Sequence, residues 1–213
     1  MGAYTGALSF FDDVIKEARK HGYSEDNILI LQGDEIALKN DYPETYNNIL
    51  SCKHHRDRRT PIAYAQDLVS SWLIEDAILY ILNNKGKVFK LSGADKNRSV
   101  LTASNVGSKS DFVIIKNNRK IELMCDYAGY WVRTGKIDLR DNKYNQLCSE
   151  AAYLLGVDIL NRKCLVIDFF KKPPRATYIA KHKPFGYKPV YQLSLNREDF
   201  VDISAENLLS IIN

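Results

Sequence analysis

Apolar positions recur along this chain in two rhythms. Between residues 62 and 83, Ala65, Leu68, Val69, Trp72, Leu73, Ala77, Ile78, Ile81 and Leu82 return at three- and four-residue steps. That spacing predicts the longest helix of the protein, with Pro61 in its first turn. Residues 9–22 repeat the rhythm through Phe10, Phe11, Val14, Ile15 and Ala18, and Gly22 is a natural stop. Residues 24–38 open on Ser24, a cap-competent residue, without a clean period. Residues 41–50 and 144–155 read as further helices. Residues 202–212 close the chain with a helix capped by Ser204, and Glu206 favours its positive end. The second rhythm is shorter. Residues 88–91, 176–180 and 190–195 read as strands, and the apolar run Cys164–Leu165–Val166–Ile167–Asp168–Phe169–Phe170 reads as a buried central strand. Residues 93–109 and 128–142 are polar connections. Together these elements predict one mixed α/β domain, residues 1–213, with a central mixed β-sheet flanked by helices and residues 1–60 as a helical N-terminal appendage.

The most informative segment is residues 110–127. Two apolar runs, 112–115 and 121–125, flank Asn117 and Asn118, and paired Asn residues tolerate the positive φ of a tight hairpin. With the two Asn as the turn, Val113 pairs with Glu122 and Asp111 with Met124. Asp111 and Glu122 then share one face of the sheet as diagonal neighbours. Two carboxylates that close repel unless a cation, a proton or water separates them, so the pair is a candidate hard-metal site. The alternative reading makes Asp111 a turn-capping residue and Glu122 an exposed strand residue.

Composition narrows the field. The 213 residues are 45% hydrophobic and 26% charged, an ordinary globular balance. Thirty Lys and Arg against 26 Asp and Glu give a net charge of +4, a weak pointer to nucleic acid. Cys52, Cys125, Cys148 and Cys164 form no CxxC pair, which argues against a zinc ribbon or a dithiol redox site. Adjacent His54 and His55, inside the basic run 53–59, lack metal-ligand helix spacing. That run reads as a DNA-binding arm or a solvated loop. His182 has no partner placed by the sequence that would make it a general base. Dinucleotide and phosphate-loop fingerprints are absent, as is an identifiable nucleophile set. No apolar run approaches a membrane span and no signal peptide is evident, so the expected location is cytoplasmic.

Ser110-Asp111, ten residues, then Glu122-Leu123-Met124 resembles the PD-(D/E)xK motif of type II restriction endonucleases and related nucleases. The order helix, short strand, hairpin, helix, buried strand is similar too, over about the middle half of the chain. The resemblance implies a restriction-endonuclease-like fold and Mg²⁺-dependent hydrolysis of phosphodiester bonds. Asp111, Glu122 and the carbonyl of Leu123 would hold the metal, as suits a cation that takes oxygen ligands and keeps several waters. The family pattern wants Lys where this chain has Met124. Lys109, which faces Asp126 in the same register, Lys136 and Lys143 are the candidates to replace it; alternatively the metal alone suffices, or the site is inactive. Glu75, on the long helix, is a candidate to support the metal through water.

Basic residues flank the hairpin on both sides. Lys96 and Arg98 precede it, and Arg133, Arg140, Asn142 and Lys143 follow it among aromatic residues. Such a placement suits contact with a phosphate backbone, against the alternative of an ordinary charged loop. Arg140 and Asn142 could also read base edges. The expectation is therefore a type II restriction endonuclease that cuts double-stranded DNA at a short specific sequence. Two-fold DNA symmetry makes a homodimer the default. The rivals are a repair or structure-specific nuclease of the same fold, and a catalytically degenerate DNA-binding protein.

Overall fold

The structure, a computed structural model, describes residues 11–51, 59–84, 89–93, 96–99, 110–171 and 175–212. The chain has a mixed α+β fold, with an N-terminal helical region, a six-strand mixed sheet and a three-strand antiparallel sheet. It divides into two compact units. One comprises the described residues of Met1–Ile78 and Gly93–Lys109; the other comprises those of Leu79–Ser92 and Ser110–Asn213.

The first unit is helical. Helices α1 (Phe11–Lys20), α2 (Glu25–Gln32), α3 (Glu35–Asp41) and α4 (Pro43–Ser51) precede α5 (Pro61–Asn83), which begins in this unit. Ala65, Val69 and Trp72 of α5 are buried with Ile15, Ile28, Leu31, Leu38 and Ile49 in one apolar core. Helix α2 ends at Gly33, whose φ of 73° lets its own N–H reach the carbonyl of Ile30 while Asp34 N–H reaches Leu29. Tight space adds to that demand: a Cβ at Gly33 would lie 3.0 Å from Nε2 of Gln66, which donates to the carbonyl of Leu31.

The second unit holds both sheets. Its large sheet runs in the order β1 (Phe89–Leu91), β2 (Phe112–Ile114), β3 (Lys120–Asp126), β5 (Tyr153–Asp158), β6 (Lys163–Asp168), β9 (Val201–Asp202). Among the described residues of this sheet, only the β3–β5 pair is parallel. Parallel strands need a long crossover, and here it contains α6 (Tyr130–Thr134), β4 (Lys136–Arg140) and α7 (Asp141–Glu150). Strand β4 leaves the large sheet altogether and pairs with β8 (Lys188–Ser194), which pairs with β7 (Ala176–His182). Ile137, Leu139 and Leu193 of the small sheet are buried with Leu147 of α7 and with Leu154, Leu165 and Ile167 of the large one. The chain closes with α8 (Ala205–Ile212), where Oγ of Ser204 accepts from Asn207 N–H at 3.1 Å, as the capping signal predicts.

Three expectations are corrected. Residues 144–155 are not one helix: α7 stops at Glu150, Ala151 takes a φ of 48°, and Tyr153 opens β5. The apolar run 164–170 is an interior strand, β6, with Cys164, Leu165 and Ile167 buried as expected, but it stops at Asp168 and shares the centre of the sheet with β5, every residue of which is buried. The continuous apolar stretch Tyr153–Val157 has no alternation to betray it as a strand. Residues 128–142 are not a plain connection but carry α6 and β4.

The hairpin also departs from its expected register. Phe112 pairs with Ile121 and Val113 with Lys120, so Val113 does not face Glu122. Four residues, Ile115 to Asn118, form the turn. Only Asn118 has a positive φ, 55°, whereas a two-residue turn of the mirror-image type needs two such residues. Asn117 instead turns its Oδ1 to the N–H of Arg119 at 3.1 Å. The slip is of two residues, and side chains alternate with period two, so each keeps its face.

Candidate active site

The site grows from the point where β2 gives out. Asp111 lies one residue before, and Glu122 one residue after, the last ladder pair, Phe112–Ile121. The backbone carbonyl of Asp111 is held by Ser92 N–H at 2.8 Å, and its Oδ2 accepts from Leu123 N–H at 2.7 Å. Backbone groups alternate sides along a strand, and the Arg119 carbonyl accepts from Ile114 of β2. Two further pairs along, the N–H and carbonyl of Leu123 therefore point to the same side, past the end of β2. Asp111, the Leu123 carbonyl and Glu122 thus occupy one corner of the sheet.

Helix α7 covers the Glu122 face. Lys143, Gln146, Leu147 and Glu150 recur at three- and four-residue steps and so line one side of it. Nζ of Lys143 lies 2.7 Å from Oε1 of Glu122. Glu150 takes Lys120 at 2.7 Å and the Ser110 hydroxyl at 3.4 Å. Leu147 anchors the helix in the core, and Tyr144 stacks on Tyr191 of β8 with centroids 4.1 Å apart. Met124, two residues along β3 from Glu122, packs against this apolar cluster. Met124 is therefore partly buried among hydrocarbon, and an ammonium reaches Glu122 from the helix.

Glu122 is only 7% exposed. Burial pushes its carboxyl above the ordinary glutamate value; the Lys143 ammonium and the Ser110 hydroxyl pull it back, and Glu150 adds to the rise. Its Oε2 is buried and has no hydrogen-bond partner among the described residues. A buried oxygen left without a donor is costly in a closed core and is what a cation ligand looks like without its cation. The donors here are two carboxylates and a backbone carbonyl, all oxygen, which fits Mg²⁺. Among the described residues there is no cluster of three or more His, Cys, Asp or Glu that would make a denser metal site.

The other sequence-derived candidates are dispersed. Lys109 lies outside the described residues, as do His54 and His55. Lys136 is exposed at the start of β4, across from Ser194. Glu75 belongs to the helical unit, where it takes Arg98 at 2.6 Å. Arg98 also bonds Asp76 and lies over the Trp72 ring at 5.9 Å, so its guanidinium is committed within that unit. Asp76 in turn accepts from the Tyr23 hydroxyl at 2.6 Å, which with burial drives the phenol's pKa upward. Lys96 and Arg133 are exposed. Arg140 is exposed at the end of β4, 5.7 Å from the Phe185 ring centroid. Asn142 is exposed in the first turn of α7, its Oδ1 capping Lys143 N–H at 2.9 Å.

Sequence reasoning missed Ser110, Lys120 and Glu150, which complete the polar lining around Glu122. The spacing of Lys143, Gln146 and Glu150 was the signal for them, obscured because the helix was extended into β5. No protein-family model matches the chain, and no curated protein or solved structure is similar to it at a significant level. Among the described residues no helix is long and apolar enough to cross a membrane.

Proposed function

We propose that this protein is a Mg²⁺-dependent endonuclease of double-stranded DNA, working at Asp111, Glu122, Leu123 and Lys143. The observation that carries the reading is the Lys143 ammonium 2.7 Å from Glu122, beside a carboxylate pair at a strand end. It offers a substitute for the lysine that the PD-(D/E)xK pattern expects at Met124, and so supports the resemblance. The order α5, β1, β2, β3, α7, β5, with β3 and β5 parallel, supports the same comparison.

In this reading Asp111, Glu122 and the Leu123 carbonyl hold the ion. Bound there, Mg²⁺ supplies polarisation of the scissile phosphate and a lowered pKa for a water. Lys143 stabilises the charge that grows on the phosphoryl oxygens and orients the attacking water. The water oxygen bonds to phosphorus as one ester P–O bond breaks. A phosphomonoester and a free hydroxyl result, and the water's proton leaves to solvent or to the departing oxygen. Burial of Glu122 keeps bulk water from screening these charges. Restriction at a short symmetric sequence by a homodimer is the form of this activity we favour.

The test is digestion of a sequenced viral genome with purified protein and Mg²⁺ at low salt, with the new ends mapped. Discrete ends at one short sequence support restriction. Cleavage confined to branched or damaged substrates points to a repair nuclease. Intact DNA at every metal and salt condition leaves a non-catalytic DNA-binding fold, in which Lys143 and Glu122 are simply an ion pair.

A further inference from the structure

We infer that the exposed edge and tip of the β7–β8 hairpin of the small sheet are a second nucleic-acid surface, gripping duplex DNA with residues other than those of the carboxylate site. Residues 169–197 contain seven Lys or Arg and no Asp or Glu. Taking those seven from the chain's 30 leaves 23 Lys or Arg against 26 Asp or Glu, so the chain's positive balance is owed to this segment. A duplex is the polyanion such a surface fits, because each neutralised phosphate releases a counterion.

The fold presents this charge outward. Lys181 is exposed near the end of β7 and Lys183 at the start of the turn, with Lys188 half-buried at the start of the returning strand. Tyr178 is 55% and Tyr187 64% exposed, large rings that no core demands on the surface. Strand β7 is an edge strand with no buried residue, unlike β4 and β8 beside it. Past the last β4 pair, Arg140–Val190, the hairpin tip is only two strands wide, a size that can enter a major groove about 12 Å across.

The one acidic side chain of the small sheet is engaged within it. Asp138 accepts from Nε2 of Gln192 at 2.8 Å and faces Nε2 of His182 at 3.3 Å. The His182 ring lies 5.4 Å from the Phe185 ring, and Arg140 sits over Phe185, so the turn is fixed against β4 rather than left loose. Fixing the turn lowers the entropy lost when its lysines engage a backbone.

The inference rests on the proposed function in one respect, that duplex DNA is the substrate. The test is therefore binding without cutting. Fluorescence anisotropy with a mixed-sequence duplex is followed across a salt series in EDTA. The variants are Lys181→Gln/Lys183→Gln/Lys188→Gln and, as an equally exposed control, Lys39→Gln. The triple variant is expected to bind about 10-fold or more weakly and to lose about 2–3 from the log–log salt slope, with the control unchanged. Unaltered affinity and slope in the triple variant, with its circular dichroism and melting intact, overturn the inference. Equal binding of heparin or duplex RNA at the same slope overturns it as a duplex-DNA surface. Mg²⁺-dependent cutting that survives with wild-type efficiency in the triple variant refutes the ribbon and spares the nuclease. Hairpin-dependent binding by a protein that never cuts does the reverse.

Discussion

At the scale of single residues, Lys143 takes, in the proposed nuclease, the role that the family pattern gives to a lysine at the position of Met124. In the resembling family the lysine stands two residues after the glutamate on the strand; here Met124 fills that place and packs against the core. The ammonium arrives from α7. Replacing Lys143 with Met should lower the cleavage rate by about 10²–10³-fold while metal binding, read by calorimetry, survives. Adding Met124→Lys to that variant should restore part of the rate, since residues two apart on a strand share a face. A rate unmoved by Lys143→Met would remove the lysine from the chemistry.

Glu122 makes a stability prediction with a definite sign. Its carboxyl titrates above the ordinary value of 4.5 in the folded chain, chiefly because it is buried. A group raised in this way favours the folded state while protonated. That contribution is complete below the unfolded pKa and is lost as pH rises through the higher folded one. Glu122→Gln, neutral at every pH, should therefore be more stable than wild type at pH 7, with the gap closing towards pH 4. Urea titrations at the two pH values check it, and an equally destabilised Gln variant at pH 7 would contradict the burial argument.

At the scale of elements, β3 is clamped to its neighbours by Arg119. Its guanidinium lies 3.7 Å over the Tyr153 ring, bonds the Ala151 carbonyl at 3.2 Å and takes Asp168 at 2.6 Å. Burial alone would raise the Asp168 carboxyl; the Arg119 hydrogen bond and backbone N–H groups hold it below its ordinary value instead. This carboxylate thus contributes stability above the unfolded pKa, lost as pH falls through the folded one. Arg119→Ala should cost about 2 kcal/mol at neutral pH, less in acid, measured by denaturant unfolding. Gly156 makes a second demand on the sheet. A Cβ there would meet Leu165 Cδ2 at 2.9 Å and the Trp131 ring at 3.3 Å. Gly156→Val should destabilise by about 1–3 kcal/mol through overpacking, read as a lowered melting temperature.

The elements also show what was legible in the residues. Helix α5 was plain because its apolar stripe is long. The expected register, with Asp111 opposite Met124 and Val113 opposite Glu122, was off by two, a slip that leaves the face of each side chain unchanged. Strand β5 was illegible because a strand buried on both faces loses the alternation that marks strands. Helix α7 was read too long for the same reason, so Lys143 stood beside Lys109 and Lys136 as a candidate without its contact to Glu122 being placed. Such contacts between distant segments depend on the crossover, which no local spacing records.

At the scale of the whole molecule, each unit has its own core. Trp72 is fully buried at the centre of the helical one. Trp72→Ala should cost about 3–5 kcal/mol there, checked by chemical denaturation. The duplex-binding surface proposed for β7 and β8 belongs to the other unit.

Strand β4 has a further consequence, for how that unit comes apart. It sits in the connection between β3 and β5, yet its hydrogen bonds go to β8, more than fifty residues later. The crossover of one sheet is thus a strand of the other. Neither sheet can open without unthreading its partner, so the pair forms one cooperative block rather than two separable lobes. Amide protons in β5 and in β8 are accordingly expected to exchange through the same global opening, with similar free energies, as in a single foldon. Such long-range lacing also makes the block slow to assemble, because the chain must close distant loops before either sheet is rewarded.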